Sequence, residues 1–228
     1  VRLDARIMLF LTLVGVFLTS LLLGNLIAGK VAGFSVAGHD VSMSAGAIPF
    51  PLTFILTDIL NEFYGRRVVR RVTFLGFAMT ALAFLMLLVA AALPWMPAAH
   101  EPGWQGLPPS AWNSVFTGAT QIQIASMVAY LVGQLLDISL FFAIKKWTGD
   151  RALWLRATGS TLVSQLIDST LVTMIGFSAL PMAVQLDMIQ AGYLIKVVSA
   201  IALTPVLYGL HALIERTWGI EPVPLERA

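Results

Sequence analysis

Six apolar runs, each close to the length that crosses a bilayer, constrain this chain more than any other feature. They cover roughly residues 7–28, 45–60, 72–93, 121–142, 160–180 and 188–213. A helix needs about 20 residues to span a hydrocarbon core of about 30 Å. Backbone inside that core must satisfy its own hydrogen bonds, which makes helices the natural reading of such runs. Composition agrees: 58% of residues are hydrophobic and 11% are charged, whereas a soluble domain carries about 25% charged residues. The expected fold is therefore an all-α integral membrane protein. It is a six-transmembrane-helix bundle forming a single domain over residues 1–228. The first run is longer than a signal-peptide core and no small-residue cleavage site follows it, so it reads as a retained helix. The absence of cysteine excludes disulfides and thiol chemistry.

Charge orients the bundle. Arg2 and Arg6 precede the first run, and Arg66, Arg67, Arg70 and Arg71 separate the second from the third. Lys145, Lys146, Arg151 and Arg156 separate the fourth from the fifth, and Arg216 and Arg227 follow the sixth. These are twelve of the fourteen basic residues, all on one side, so both termini are expected in the cytoplasm. The net charge of +2 and the pI near 9.2 do not point to nucleic acid, because the basic residues sit between apolar runs as topology signals do. The outer connection over residues 94–118 holds Trp95, Trp104, Trp112 and five prolines. It reads as an interfacial aromatic connector or, more sharply, as a lid. Pro222 and Pro224 mark a tail expected to be poorly ordered.

Ionisable and amide side chains interrupt the apolar runs, and such groups are costly inside a bilayer and usually functional. Asp58 and Glu62 lie one turn apart on the second run. The bland reading of Glu62 places it at the interface beside Arg66. On the fourth run Gln123, Ser126, Tyr130, Gln134 and Asp137 follow helical steps and form a polar stripe. Thr161, Ser164, Gln165, Asp168 and Ser169 do the same on the fifth. Both stripes contain Gln-x-x-Asp, at Gln134 and Asp137 and at Gln165 and Asp168, which raises an internal repeat. Glutamine supplies donors and an acceptor while aspartate accepts only, so each pair can grip a polar edge. Lys196 lies eight residues inside the sixth run and Asp168 eight residues inside the fifth, each about 12 Å deep. Pairing with each other is the simplest way for both charges to persist at that depth. Asn25 adds an amide on the first run. The bland reading of these groups is interhelical glue or a structural ion pair. The three histidines lack metal-ligand spacing.

Several stretches resemble the queuosine precursor transporter family, also called the vitamin uptake transporter family. They are Phe50-Pro-Leu-Thr-Phe54 continuing through Thr57-Asp-Ile-Leu-Asn-Glu-Phe-Tyr-Gly65 to Arg70 and Arg71, Asn25 to Lys30, and Gln134 to Ser139. Lys146 to Gly149, Trp154 to Arg156 and Ser160 to Ser169 extend the likeness. The resemblance implies a six-helix inner-membrane importer of 7-cyano-7-deazaguanine and its 7-aminomethyl relative, precursors for tRNA queuosine synthesis, and not an enzyme. A guanine-like edge suits a carboxylate that accepts two N–H groups, with glutamine or lysine donating to its carbonyl. The candidate substrate residues are Gln134, Asp137, Gln165, Asp168, Lys196, Asp58, Asn25 and Tyr130, with Phe54 and Tyr193 as further aromatic options. Glu62 and Lys196 are candidates for coupling or gating.

No cofactor or metal is expected. The expected partners are the lipid bilayer and a small purine-like molecule, with a homodimer as an option and no nucleic acid. A secondary transporter or facilitator is the leading reading. The alternatives are the substrate-binding subunit of an ATP-driven importer, whose phosphate-binding loop would have to lie on another chain, and an intramembrane enzyme using paired aspartates.

Overall fold

The computed structural model describes residues 4–28, 30–36, 39–117, 120–149 and 151–224. Arg2 and Arg227 of the expected topology signal, and Gly118 at the end of the outer connection, lie outside these residues. Six long helices carry the architecture: α1 (Ala5–Ile27), α2 (Phe50–Tyr64), α3 (Arg66–Ala92), α4 (Thr120–Thr148), α5 (Leu153–Gly176) and α6 (Met182–Trp218). Among the described residues four helices are long and apolar enough to cross a membrane: α1, α3, α4 and α6. The other two expected crossings differ in kind. α2 has 15 residues and reaches only about 22 Å. α5 has 24 residues but carries Arg156, Asp168 and many hydroxyl and amide side chains.

Burial explains the difference. α2 is buried at Thr53 and continuously from Ile55 to Phe63, so it is enclosed on all faces. α3 and α6 instead expose apolar side chains such as Leu85, Met86, Val89, Val198 and Ile201. The interior is where the polar side chains collect: Asp58, Asn61, Glu62, Asp137, Lys145, Arg156, Ser164 and Asp168 are all buried. That is the pattern of a chain whose solvent is lipid.

Helix boundaries depart from the sequence reading at several places. The second helix starts at Phe50, not residue 45, because residues Ala45–Ala47 form a 3-10 turn and Pro49 and Pro51 open the helix. It ends at Tyr64, where Gly65 takes φ 80°, a conformation that favours glycine. The four arginines read as a loop then fall in the first turns of α3, since arginine itself does not break a helix. Likewise Lys145 and Lys146 close α4 and Arg156 stands in the first turn of α5.

One element departs from an all-α fold. Strands β1 (Val31–Val36) and β2 (His39–Ser44) form an antiparallel hairpin between α1 and α2, with Val31 opposite Ser44 and Val36 opposite His39. Alternating valine, serine and glycine with a two-residue gap suits such a hairpin. In the connection between α3 and α4, Trp95 meets Trp112 edge-on at 6.2 Å and Trp112 meets Phe116 at 4.5 Å.

The two ends of the described chain meet at one end of the bundle, around the last turn of α2. Carbonyls there have no helical partner. The Arg6 guanidinium donates to the carbonyl of Phe63 at 2.7 Å, and the Val223 N–H donates to that of Glu62 at 2.9 Å. The tail expected to be poorly ordered is thus fastened as far as residue 224: Ile220 is buried, and Lys145 Nζ donates to the Val223 carbonyl at 3.1 Å. Beneath it, Arg156 grips Glu62 with a fork, Nη2 to Oε1 at 2.7 Å and Nε to Oε2 at 3.1 Å. Lys145 stands 3.4 Å from the same carboxylate. Losing one partner of a buried pair costs about 3–5 kcal/mol. Arg156→Met should therefore lower the melting temperature of the detergent-purified protein strongly. Arg156→Lys should also lower it, since a point charge cannot reproduce the fork. A wild-type melt for Arg156→Met would show that this network does not hold the bundle.

Candidate functional site

The α4–α5 seam carries most of the polar residues singled out in the sequence. The two helices share the most extensive interface in the fold. Gly133 makes the close approach: a Cβ there would stand 3.3 Å from Asp168 Cβ and 3.6 Å from the Ser164 carbonyl. Gln134 and Gln165, the neighbours of Gly133 and Ser164, therefore lie at one level of the seam. Asp137 lies one turn away and accepts from Ser164 Oγ at 3.1 Å. Gln134 Nε2 and Gln165 Oε1 are both buried without a hydrogen-bond partner. Between them the two amides leave one donor and one acceptor unmet.

Asp168 borders the same seam beside Gly133 and is also engaged from α6. Lys196 Nζ donates to its Oδ2 at 2.5 Å and to Ser169 Oγ at 3.1 Å. The same ammonium stands 4.8 Å from the centre of the Phe50 ring, within the range of a cation–π contact. Phe50 in turn packs on Phe54, with ring centres 6.2 Å apart. An ion pair, a hydroxyl and an aromatic face thus converge where α2, α5 and α6 meet. Phe50 and Ser169 were not among the candidate residues. Phe50 was legible only as the start of a motif, because its role depends on where α2 begins.

Below Phe54 lies a cavity of about 20 Å³, lined by Phe54, Asp58, Thr158, Thr161, Thr204 and apolar neighbours. It takes Asp58 from the candidate set. Asp58 Oδ1 is buried and unpartnered, and its charged neighbours are Asp137, Glu62 and Arg156. Thr158 and Thr204 share a hydroxyl hydrogen bond at 3.3 Å.

Asn25 and Tyr130 sit apart from this group. Asn25 accepts from Ser126 Oγ at 2.9 Å, tying α1 to α4. Tyr130 OH donates to the Thr73 carbonyl at 3.1 Å and its ring meets Phe17 at 6.5 Å. Both side chains are spent between helices. Glu62 belongs to the Arg156–Lys145 network and not to Arg66, the partner its bland reading gave it. Lys145 was read as a topology anchor, and Arg156 as an anchor within a family-like stretch, neither as a partner of Glu62. The signal available was the position of Arg156 between the apolar Leu155 and Ala157, just inside a helix. Among the described residues no group of three or more His, Cys, Asp or Glu could hold a metal ion.

A sequence profile described as "Putative vitamin uptake transporter" matches residues 44–210. The stretch contains Asp58, Glu62, Asp137, Asp168 and Lys196. A Bacillus subtilis (strain 168) protein named "Probable queuosine precursor transporter" is 30% identical over 176 residues, covering 76% of this chain and 74% of the relative. The Escherichia coli (strain K12) "Queuosine precursor transporter" is 30% identical over 177 residues, covering 75% and 74%. A Haemophilus influenzae relative with the Bacillus protein's name is 28% identical over 143 residues, covering 62% and 55%. No solved structure matches the chain significantly. With its long apolar helices the chain is a multi-pass membrane protein, which in bacteria resides in the inner membrane. It belongs to the vitamin uptake transporter family.

Proposed function

We propose that this protein imports queuosine precursors, the 7-deazaguanine bases with a cyano or aminomethyl group at position 7, as a secondary transporter or facilitator. The names of its relatives support the substrate class. The observation that carries the reading is the pair of unmet amide groups, Gln134 Nε2 and Gln165 Oε1. Buried polar groups without partners are rare and call for an explanation. A planar base edge that offers a carbonyl beside N–H groups answers both at once. Asp137, which accepts a serine hydroxyl, keeps capacity for the adjacent ring N–H and amino group. Lys196 could turn from Asp168 to donate to the base carbonyl, and the Phe50–Phe54 pair offers a stacking face.

The cavity beside Asp58 is water-sized and lies apart from the two glutamines, so a bicyclic base gripped at Gln134 and Gln165 needs the helices there to part. Movement of α4 against α5, with α2 and α6 following, would open the seam toward one side and then the other. In this reading all six helices belong to the membrane domain, with α2 enclosed by its neighbours and both termini in the cytoplasm. The basic residues on the connections and ends support that orientation.

Uptake of the radiolabelled base into vesicles holding only this purified chain is the direct test. Uptake that requires an added ATPase would instead favour an ATP-driven importer. Asp137→Asn should cut uptake at least about tenfold, an interaction of 1.4 kcal/mol or more, while membrane insertion stays at the wild-type level. The readout is tRNA queuosine in a strain unable to make the precursor; normal queuosine would remove Asp137 from the site. Asp168→Asn combined with Lys196→Met removes the pair without leaving a lone charge. That variant should fold yet fail to transport, and restored uptake would mark the pair as structural. A reporter fused to the C-terminus should behave as cytoplasmic, and a periplasmic result would invert the orientation.

A further inference from the structure

We propose that Asp58, with the hydroxyls of Thr158, Thr161 and Thr204, binds a sodium ion between α2, α5 and α6. The inference rests on the transport reading for its role, which is coupling, but not for the site itself. Asp58 is 6% exposed, and its Oδ1 has no hydrogen-bond donor. A carboxylate in that position requires a compensating cation or a proton. The space beside it has the volume of one small guest, about 20 Å³, where a water needs about 10–15 Å³. The polar residues of the lining are one aspartate and three threonines, whose side chains carry only oxygen as a donor atom for a cation. Hard cations select oxygen ligands. A proton alone would need neither the space nor the hydroxyls.

Two of the hydroxyls, those of Thr158 and Thr204, are already turned for this. Thr204 Oγ1 donates to the Ala200 carbonyl at 3.2 Å, which leaves its lone pairs as acceptors. Thr158 and Thr204 hold each other at 3.3 Å. Pro205, inside α6, has no N–H, so the carbonyl of Ile201 loses its helical donor one turn away. The site also touches the proposed substrate region through Phe54, which lines the cavity and packs on Phe50 beneath Lys196. A sodium ion bound at Asp58 would fix α2 against α5 and α6 and so set the aromatic face for the base.

Binding of radiolabelled sodium to the purified full chain tests the site without any transport. The expected result is saturable binding that competes with unlabelled sodium but not with choline. It should disappear in Asp58→Asn and weaken about tenfold in Thr204→Val. Absence of saturable binding in the wild type, or undiminished binding in Asp58→Asn, overturns the proposal. Should Asp58→Asn fail to fold, Thr204→Val and Thr158→Val decide: unchanged affinity in both overturns it. In vesicles, full-rate uptake of the base driven by a proton gradient in sodium-free medium overturns the coupling role given to the site. Sodium binding that behaves as expected, in a protein that takes up no 7-deazaguanine, leaves the site standing and removes the substrate assignment.

Discussion

Four buried carboxylates share one low-dielectric interior, and each has to be reconciled with the absence of bulk water. Glu62 is met by an arginine fork and a lysine. Asp168 is met by a single lysine that also rests on an aromatic ring. Asp137 accepts a serine hydroxyl. Asp58 has an oxygen with no donor. Compensation is fullest at Glu62, falls away at Asp58 one turn further along α2 and at Asp137, and returns as a lysine at Asp168. Full neutralisation suits a joint that holds the fold together. Partial neutralisation suits a place where a ligand supplies the rest, because binding then replaces a missing partner and breaks none.

The helices divide the work accordingly. α1, α3 and α6 present apolar faces outward. α2 is short, enclosed and bears the two acidic residues of its motif on one turn-to-turn face. Its last turn is held by Arg6, Lys145, Arg156 and Val223 from four separate segments. Its first turn, with Phe50 and Phe54, faces Lys196. A helix fixed at one end and lined with partly met polar groups at the other can pivot about its fixed end, the geometry of a hinge.

Much of this was legible in the chain, and what escaped did so for definable reasons. The Asp168–Lys196 pair could be placed from helical rise alone, since 1.5 Å per residue puts both at one depth. The polar stripes of α4 and α5 followed from steps of three and four. Arg156 escaped because a positive charge near a connection reads as a topology signal, and only three-dimensional packing carries Glu62 to it. The strap at Val223 escaped because flanking prolines signal an absence of regular structure, not an absence of contacts. The hairpin between α1 and α2 escaped because six residues of weak alternation are overshadowed by the apolar runs on either side.

Chain order turns the Glu62 network into a constraint on biogenesis. Glu62 is made 83 residues before Lys145 and 94 residues before Arg156, and the backbone donor at Val223 comes later still. Until α4 and α5 have entered the membrane, α2 carries an unpaired glutamate and open terminal carbonyls, which disfavour full burial. Apart from that of Arg6, the contacts that neutralise and cap the end of α2 in the finished bundle are therefore supplied by the second half of the chain.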